Sequence, residues 1–119
     1  MFHIFVDKIL YMCKYDSLYF GDDGYVVNCK KCGNYQVAFI STLLTLSQND
    51  FDTLRKLISY KCNKEYFTLT ETAKCVVVPT PCQGICMILT KSEVIRFNEI
   101  LEEADNEMKV LSLLSLFNP

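Results

Sequence analysis

At 119 residues, 50% of them apolar and 22% charged, the chain is sized for one domain with its own core, and it is too apolar to stay disordered. A net charge of −2 and a pI of about 5.3 exclude the broad positive field that draws a protein to nucleic acid. No apolar run approaches the ~20 residues that a helix needs to cross a bilayer.

In chain order, the first segment, "MFHIFVDKILYM" (residues 1–12), is apolar but has no basic leader. Asp7 and Lys8 interrupt it and no small-residue cleavage site follows, so it does not read as a signal peptide. Without an export signal the expected location is the cytoplasm, where the seven cysteines stay as thiols and any cluster of them is first a metal candidate. In an exported chain the same cysteines would read as a disulfide framework with one thiol left over.

"GDDG" (21–24) reads as a turn, and residues 24–28 and 34–40 as strands of a hairpin around the cysteine turn. In "YQVAFISTLLTL" the apolar parity changes from Val37 and Phe39 to Leu44 and Leu46. That requires a turn or bulge near Ser41 and Thr42. The strand ends in Leu46, Ser47 takes the N-cap, Asp50 stands where a capping box places its acid, and a helix is predicted over 48–61. Strands follow at 65–70, 74–78 and 84–89, the last two separated by "PTPCQG"; Thr90 and Glu93 then open a helix predicted over 91–105.

These halves align without a gap: Leu46 with Leu89, Ser47 with Thr90, Asp50 with Glu93, and Leu54, Leu57 and Ile58 with Phe97, Ile100 and Leu101. Internal duplication explains this, and so does the commonness of capped amphipathic helices. The expected fold is one α+β domain over 1–119. Two strand–strand–strand–helix units (12–61 and 62–105) form an antiparallel sheet with helices on one face, and a C-terminal helix follows over 106–117. In that last helix Val110, Leu111, Leu113, Leu114, Leu116 and Phe117 spread around the circumference. Either it is sandwiched inside the fold, or it meets a protein partner or a second copy as a homodimer.

The strongest chemical signal is "VVNCKKCGNY" (26–35). Two thiolates at the spacing of Cys29 and Cys32 can face one ion from a tight turn that Gly33 lets close, as in the knuckle of a zinc ribbon. Lys30 and Lys31 add favourable charge. One pair is half a tetrahedral site. Cys13 is the best third ligand and the fourth is open: Cys82 and Cys86 flank a Pro/Gly loop, while Cys75 aligns with Cys32 in the repeat. Cys62 continues a helical core stripe, and His3 sits in an apolar run that suits a structural or exposed role. The rival readings of the pair are a plain thiol turn and a redox couple. Redox pairs of the thioredoxin kind open a helix, and this one lies between strands.

Phosphate-binding glycine loops, GxSxG and HExxH are absent. Glu102, Glu103, Asp105 and Glu107 read as a solvated helix face. Tyr15, Tyr19, Tyr25 and Tyr35, near Lys14, Lys30 and Lys31, form an aromatic edge that could stack on single-stranded nucleic acid but equally serves a small sheet.

Met12-Cys13, Gly24-Tyr25-Val26, Cys29, Cys32-Gly33, Tyr35-Gln36-Val37, Phe39 and Leu44-Thr45-Leu46-Ser47 together make a pattern. It resembles that of short bacterial proteins of the Bacteroidetes type, which carry a zinc-ribbon-like CxxCG knuckle and no known function. The resemblance spans about residues 12–105. It implies that Cys13, Cys29 and Cys32 belong together and that residues 1–11 are an extension; Cys82 and Cys86 fall outside the pattern. It supplies no activity. The expected function is a non-catalytic structural or protein-interaction module holding one zinc ion through Cys13, Cys29 and Cys32. The alternative is a thiol- or metal-dependent enzyme or redox protein using the Cys29/Cys32 pair.

Overall fold

Side chains that alternate between apolar and polar fold the first half of the chain into a meander. The computed structural model describes residues 14–64 and 72–117. Strands β1 (Tyr15–Gly21), β2 (Gly24–Cys29), β3 (Tyr35–Phe39) and β4 (Thr42–Leu46) form an antiparallel sheet in the order β1-β2-β3-β4. In β3 the pattern is plain: Tyr35, Val37 and Phe39 are buried while Gln36 and Ala38 are half-buried. β1 goes beyond the strands predicted from sequence. Only Leu18 of its seven residues is buried and its register slips between Ser17 and Tyr19, so its alternation is weak.

The predicted parity switch is a tight turn between β3 and β4. Ile40 adopts φ 57° there, and Leu44 pairs with Val37 across the hairpin. The Ile40 N–H donates to the Asp23 carbonyl (3.0 Å), joining this turn to the one between β1 and β2. Gly24 is dictated by close approach, because a Cβ there would lie 2.0 Å from the Ala38 carbonyl oxygen.

Helix α1 (Gln48–Asn63) starts at Ser47, whose hydroxyl accepts the Asp50 N–H at 3.2 Å. Helix α2 (Lys91–Phe117) starts with a complete capping box: Thr90 Oγ1 accepts the Glu93 N–H (3.0 Å) and Glu93 Oε1 accepts the Thr90 N–H (2.8 Å). Between them β5 (Val76–Pro79) and β6 (Cys86–Leu89) form a separate two-stranded sheet. The fold is α+β as expected, with its strands divided between two sheets. The strand predicted over 65–70 lies outside the described residues.

One hydrophobic cluster joins every element. α1 contributes Phe51, Leu54 and Ile58, and α2 contributes Val94, Phe97, Ile100, Leu101 and Ala104, each set at helical spacing. Two flat ring stacks fix the helices on the main sheet: Tyr35 on Phe51 (centroids 4.1 Å apart) and Phe39 on Phe97 (4.4 Å).

The boundary expected between helices at 105 and 106 is not found; residues 91–117 form one helix. Neither glycine nor proline interrupts it, and an ion pair bridges the expected break, since Asp105 lies 2.9 Å from Lys109 one turn later. Asp105 also lies 3.0 Å from Arg55 of α1, so this buried carboxylate is paired across the helix interface as well as along its own helix. Its Oδ2 sits between the two cations without a well-aligned hydrogen bond to either. Beyond Asp105 the core stripe ends. Met108 and Leu111 pack partly against the core, whereas Leu113, Leu114, Leu116 and Phe117 are exposed. The last turns are therefore not sandwiched inside the fold. No helix among the described residues is long and apolar enough to cross a membrane.

Candidate functional site at the cysteine turn

The turn from β2 to β3 is built by a chain of short-range bonds. The Cys29 N–H donates to the Asn34 carbonyl and the Gly33 N–H to the Cys29 carbonyl, both at 2.8 Å. Gly33 closes the turn at φ 80°, a conformation that an L side chain resists. Within this frame the Cys32 N–H points at Cys29 Sγ, 3.4 Å away. A backbone N–H aimed at sulfur is the kind of hydrogen bond that a cysteine ligand takes in a metal knuckle.

Asn28, buried beneath the turn, donates from Nδ2 to the carbonyls of Gly33 (3.1 Å) and Asn34 (3.4 Å). Sequence reasoning missed this residue; an asparagine directly before the first cysteine of a tight turn was the available signal. Cys29 is fully buried and Cys32 is exposed, so the two thiols of the turn differ in access. Lys30 pairs with Asp16 of β1 (3.3 Å), and its N–H donates to the Lys14 carbonyl (2.8 Å). Lys31 is exposed.

Cys13 and His3 lie outside the described residues. Lys14, the residue after Cys13 in sequence, is held against the turn by the bond from Lys30. The other cysteines are elsewhere. Cys62, Cys75 and Cys82 are partly buried against the core, Cys82 Sγ lies 3.7 Å from the Thr45 carbonyl of β4, and Cys86 is exposed at the start of β6. Among the described residues no three Cys, His, Asp or Glu side chains gather as a metal-binding group. What the described turn supplies is a pair of sulfur ligands with a backbone donor already directed at one of them.

The tyrosines do not make one exposed edge. Tyr35 is buried on Phe51 and donates to Gln48 Oε1 at 2.8 Å, and burial pushes its phenol up. Tyr19 donates to Asp23 Oδ1 (3.0 Å) and accepts from Arg96 Nη2 (2.6 Å). Arg96 Nε also donates to Asp23 Oδ2 at 2.7 Å, which holds that carboxyl below its usual value against the opposing effect of burial. This cluster was not foreseen, because Arg96 lies far from Tyr19 and Asp23 in sequence. Its polar groups satisfy one another, which is the pattern of a structural clasp.

A groove of about 600 Å³ runs between the cysteine turn and the C-terminal turns of α2, lined by Asp16, Asn28, Cys29 and Lys30 on one side and Met108 and Leu111 on the other. A second, of about 650 Å³, lies across the helix against Tyr35 and Gln48.

No curated protein and no solved structure matches the chain. A family model does match residues 12–117, a span that takes in the sheet, the cysteine turn and both helices, and on that match the chain belongs to a family of unknown function, DUF6686.

Proposed function

We propose that the protein is a non-catalytic structural or protein-interaction module of the bacterial cytoplasm whose β2–β3 turn holds one zinc ion through Cys29, Cys32 and Cys13, with one further group completing the site. The observation that carries this reading is the Cys32 N–H directed at Cys29 Sγ in a turn closed by Gly33. Two cysteines at this spacing on a tight turn can present their sulfurs to one ion. Lys14 lies beside Lys30, so a ligand at Cys13 would fasten the segment before β1 to the hairpin. The binding free energy would then become folding free energy of that corner.

The exposure of Cys32 supports a second reading, thiol-dependent or redox chemistry through the same pair. It has less support, because the first thiol is buried and no helix begins at the pair to stabilise a reactive thiolate.

The test is elemental analysis and thiol titration of the full chain purified without chelator. The expected result is one zinc per chain, with Cys29→Ser and Cys13→Ser each abolishing it. A metal-free protein whose seven cysteines all titrate freely would falsify the zinc site. A reversible Cys29–Cys32 disulfide at cytosolic potential would replace it with the redox reading.

A further inference from the structure

From Val110 onward α2 carries a second apolar stripe, on the side of the helix away from its core. Val110 is 47% exposed, Leu113 59%, Leu114 52% and Phe117 79%. Counted from Val110 the other three follow at three, four and seven residues, which places all four within one ~100° arc of the helix. Met108 and Leu111, which pack partly against the core, lie on the other side, so no rotation of the helix buries both sets in one core. Earlier in α2 the same outer face is polar, with Glu99, Glu103 and Asn106 exposed. Isolated exposed leucines are ordinary, but a contiguous stripe on an otherwise solvated face marks an interface.

We propose that this stripe is a homodimer contact, in which the last two turns of α2 pack antiparallel against those of a second copy. Three observations favour a copy of the same chain as the occupant. First, the stripe complements itself. A two-fold axis between Leu113 and Leu114 sets those leucines against each other, and Phe117, the largest side chain, against the partner's Val110, the smallest. Second, the charges agree. Residues 110–117 carry none, so the contact neither desolvates an ion nor opposes like charges. On the flank of the stripe Lys109 is largely exposed while paired with Asp105, and the antiparallel arrangement brings it beside the partner's last helical turn. That turn has no basic residue of its own to complement its free carbonyls. A parallel pairing would instead set two negative dipole ends together. Third, the area suits a reversible dimer. With about 200 Å² for a fully exposed large apolar residue, the four exposures leave roughly 500 Å² per copy and roughly 1,000 Å² over both, in the range of transient interfaces. The inference names the partner in the interaction reading above and does not depend on zinc at the cysteine turn, which metal content tests separately.

The test is sedimentation velocity of the full chain across micromolar concentrations, with Leu113→Glu/Leu114→Glu as the variant. Both leucines are exposed, so the variant should keep the circular dichroism spectrum of the parent. Expected is a reversible monomer–dimer equilibrium in the parent, weakened about a hundredfold in the variant, because dimerisation would bury unpaired carboxylates. In a sample mixed from isotope-labelled and unlabelled chains, intermolecular NOEs should join the Val110 methyls to the Phe117 ring. A parent that stays monomeric at every concentration would overturn the proposal and leave the stripe to another protein. A dimer indifferent to the two substitutions would overturn it as well. Val110–Val110 cross-peaks between copies would overturn the antiparallel pairing, and NOEs confined to single molecules would show that the chain covers its own stripe, which overturns the dimer.

Discussion

The Arg96 guanidinium reaches Asp23 at 2.7 Å, clasping the turn between β1 and β2 to the second turn of α2. Tyr19 completes the triangle by donating to Asp23 and accepting from Arg96. In a triangle of mutual partners each member orders the other two, so their contributions are coupled. Arg96→Ala and Asp23→Asn should each lower the thermal midpoint, and the double variant should lose clearly less than the sum. Simple additivity in the double-mutant cycle would show that the pair is a surface contact without energetic consequence.

Acid stability follows from two carboxylates. Arg96 holds Asp23 below its ordinary value. Burial pushes Glu93 up, but the Lys74 ammonium and the Thr90 N–H outweigh it, and Glu93 too lies below its ordinary value. A carboxyl with a lowered folded-state pKa stabilises fully above its unfolded-state pKa, and that contribution is lost as pH falls through the lowered value. Urea midpoints should therefore be flat from neutral pH down to about 5 and fall below about pH 4. Glu93→Gln should weaken that fall; a variant that keeps the full acid slope would assign it to other groups.

The Tyr35–Phe51 stack is the join between β3 and the first turn of α1, and the Tyr35 hydroxyl reaches Gln48 in that same turn. Phe51→Ala should cost about 3–5 kcal/mol, since it empties a fully buried ring site. Tyr35→Phe keeps the stack and removes one hydrogen bond, a loss of about 1 kcal/mol. Chemical denaturation measures both, and a Tyr35→Phe cost equal to that of Phe51→Ala would contradict this division.

What could be read from residue order alone is local. Ser47 with Asp50 and Thr90 with Glu93 mark both helix starts, because a cap and its acid stand within one turn of each other. The parity switch after Phe39 placed a turn near Ser41 and Thr42 for the same reason, and the chain turns at Ile40 and Ser41, with Thr42 already in β4. The cysteine turn was legible as a turn; the buried Asn28 that braces it was signalled only by its place before the first cysteine, since its partners are backbone carbonyls with no residue signature of their own. β1 was hidden because only Leu18 is buried, and the division of the strands into two sheets depends on pairings that periodicity does not encode. The continuity of α2 was missed because a polar stretch at 105–107 looks like a boundary until Asp105 is seen between Arg55 and Lys109.

The sheet order β1-β2-β3-β4 also constrains the route by which the protein folds. Every strand pairing in the larger sheet joins chain neighbours, so it closes only short loops, whereas α2 must return from the far end of the sequence to meet β1. The meander should consolidate early and α2 should dock late. In stopped-flow experiments Val26→Ala, in the centre of the meander, should chiefly slow refolding, and Ile100→Ala, in the docking face of α2, should chiefly speed unfolding. The reverse pattern would place the nucleus in the helices. With α2 last to arrive, the nascent sheet passes through a stage in which Val26, Val37 and Phe39 lack the helix that later covers them. The interval before docking, more than the finished fold, is then when this chain is most exposed to self-association.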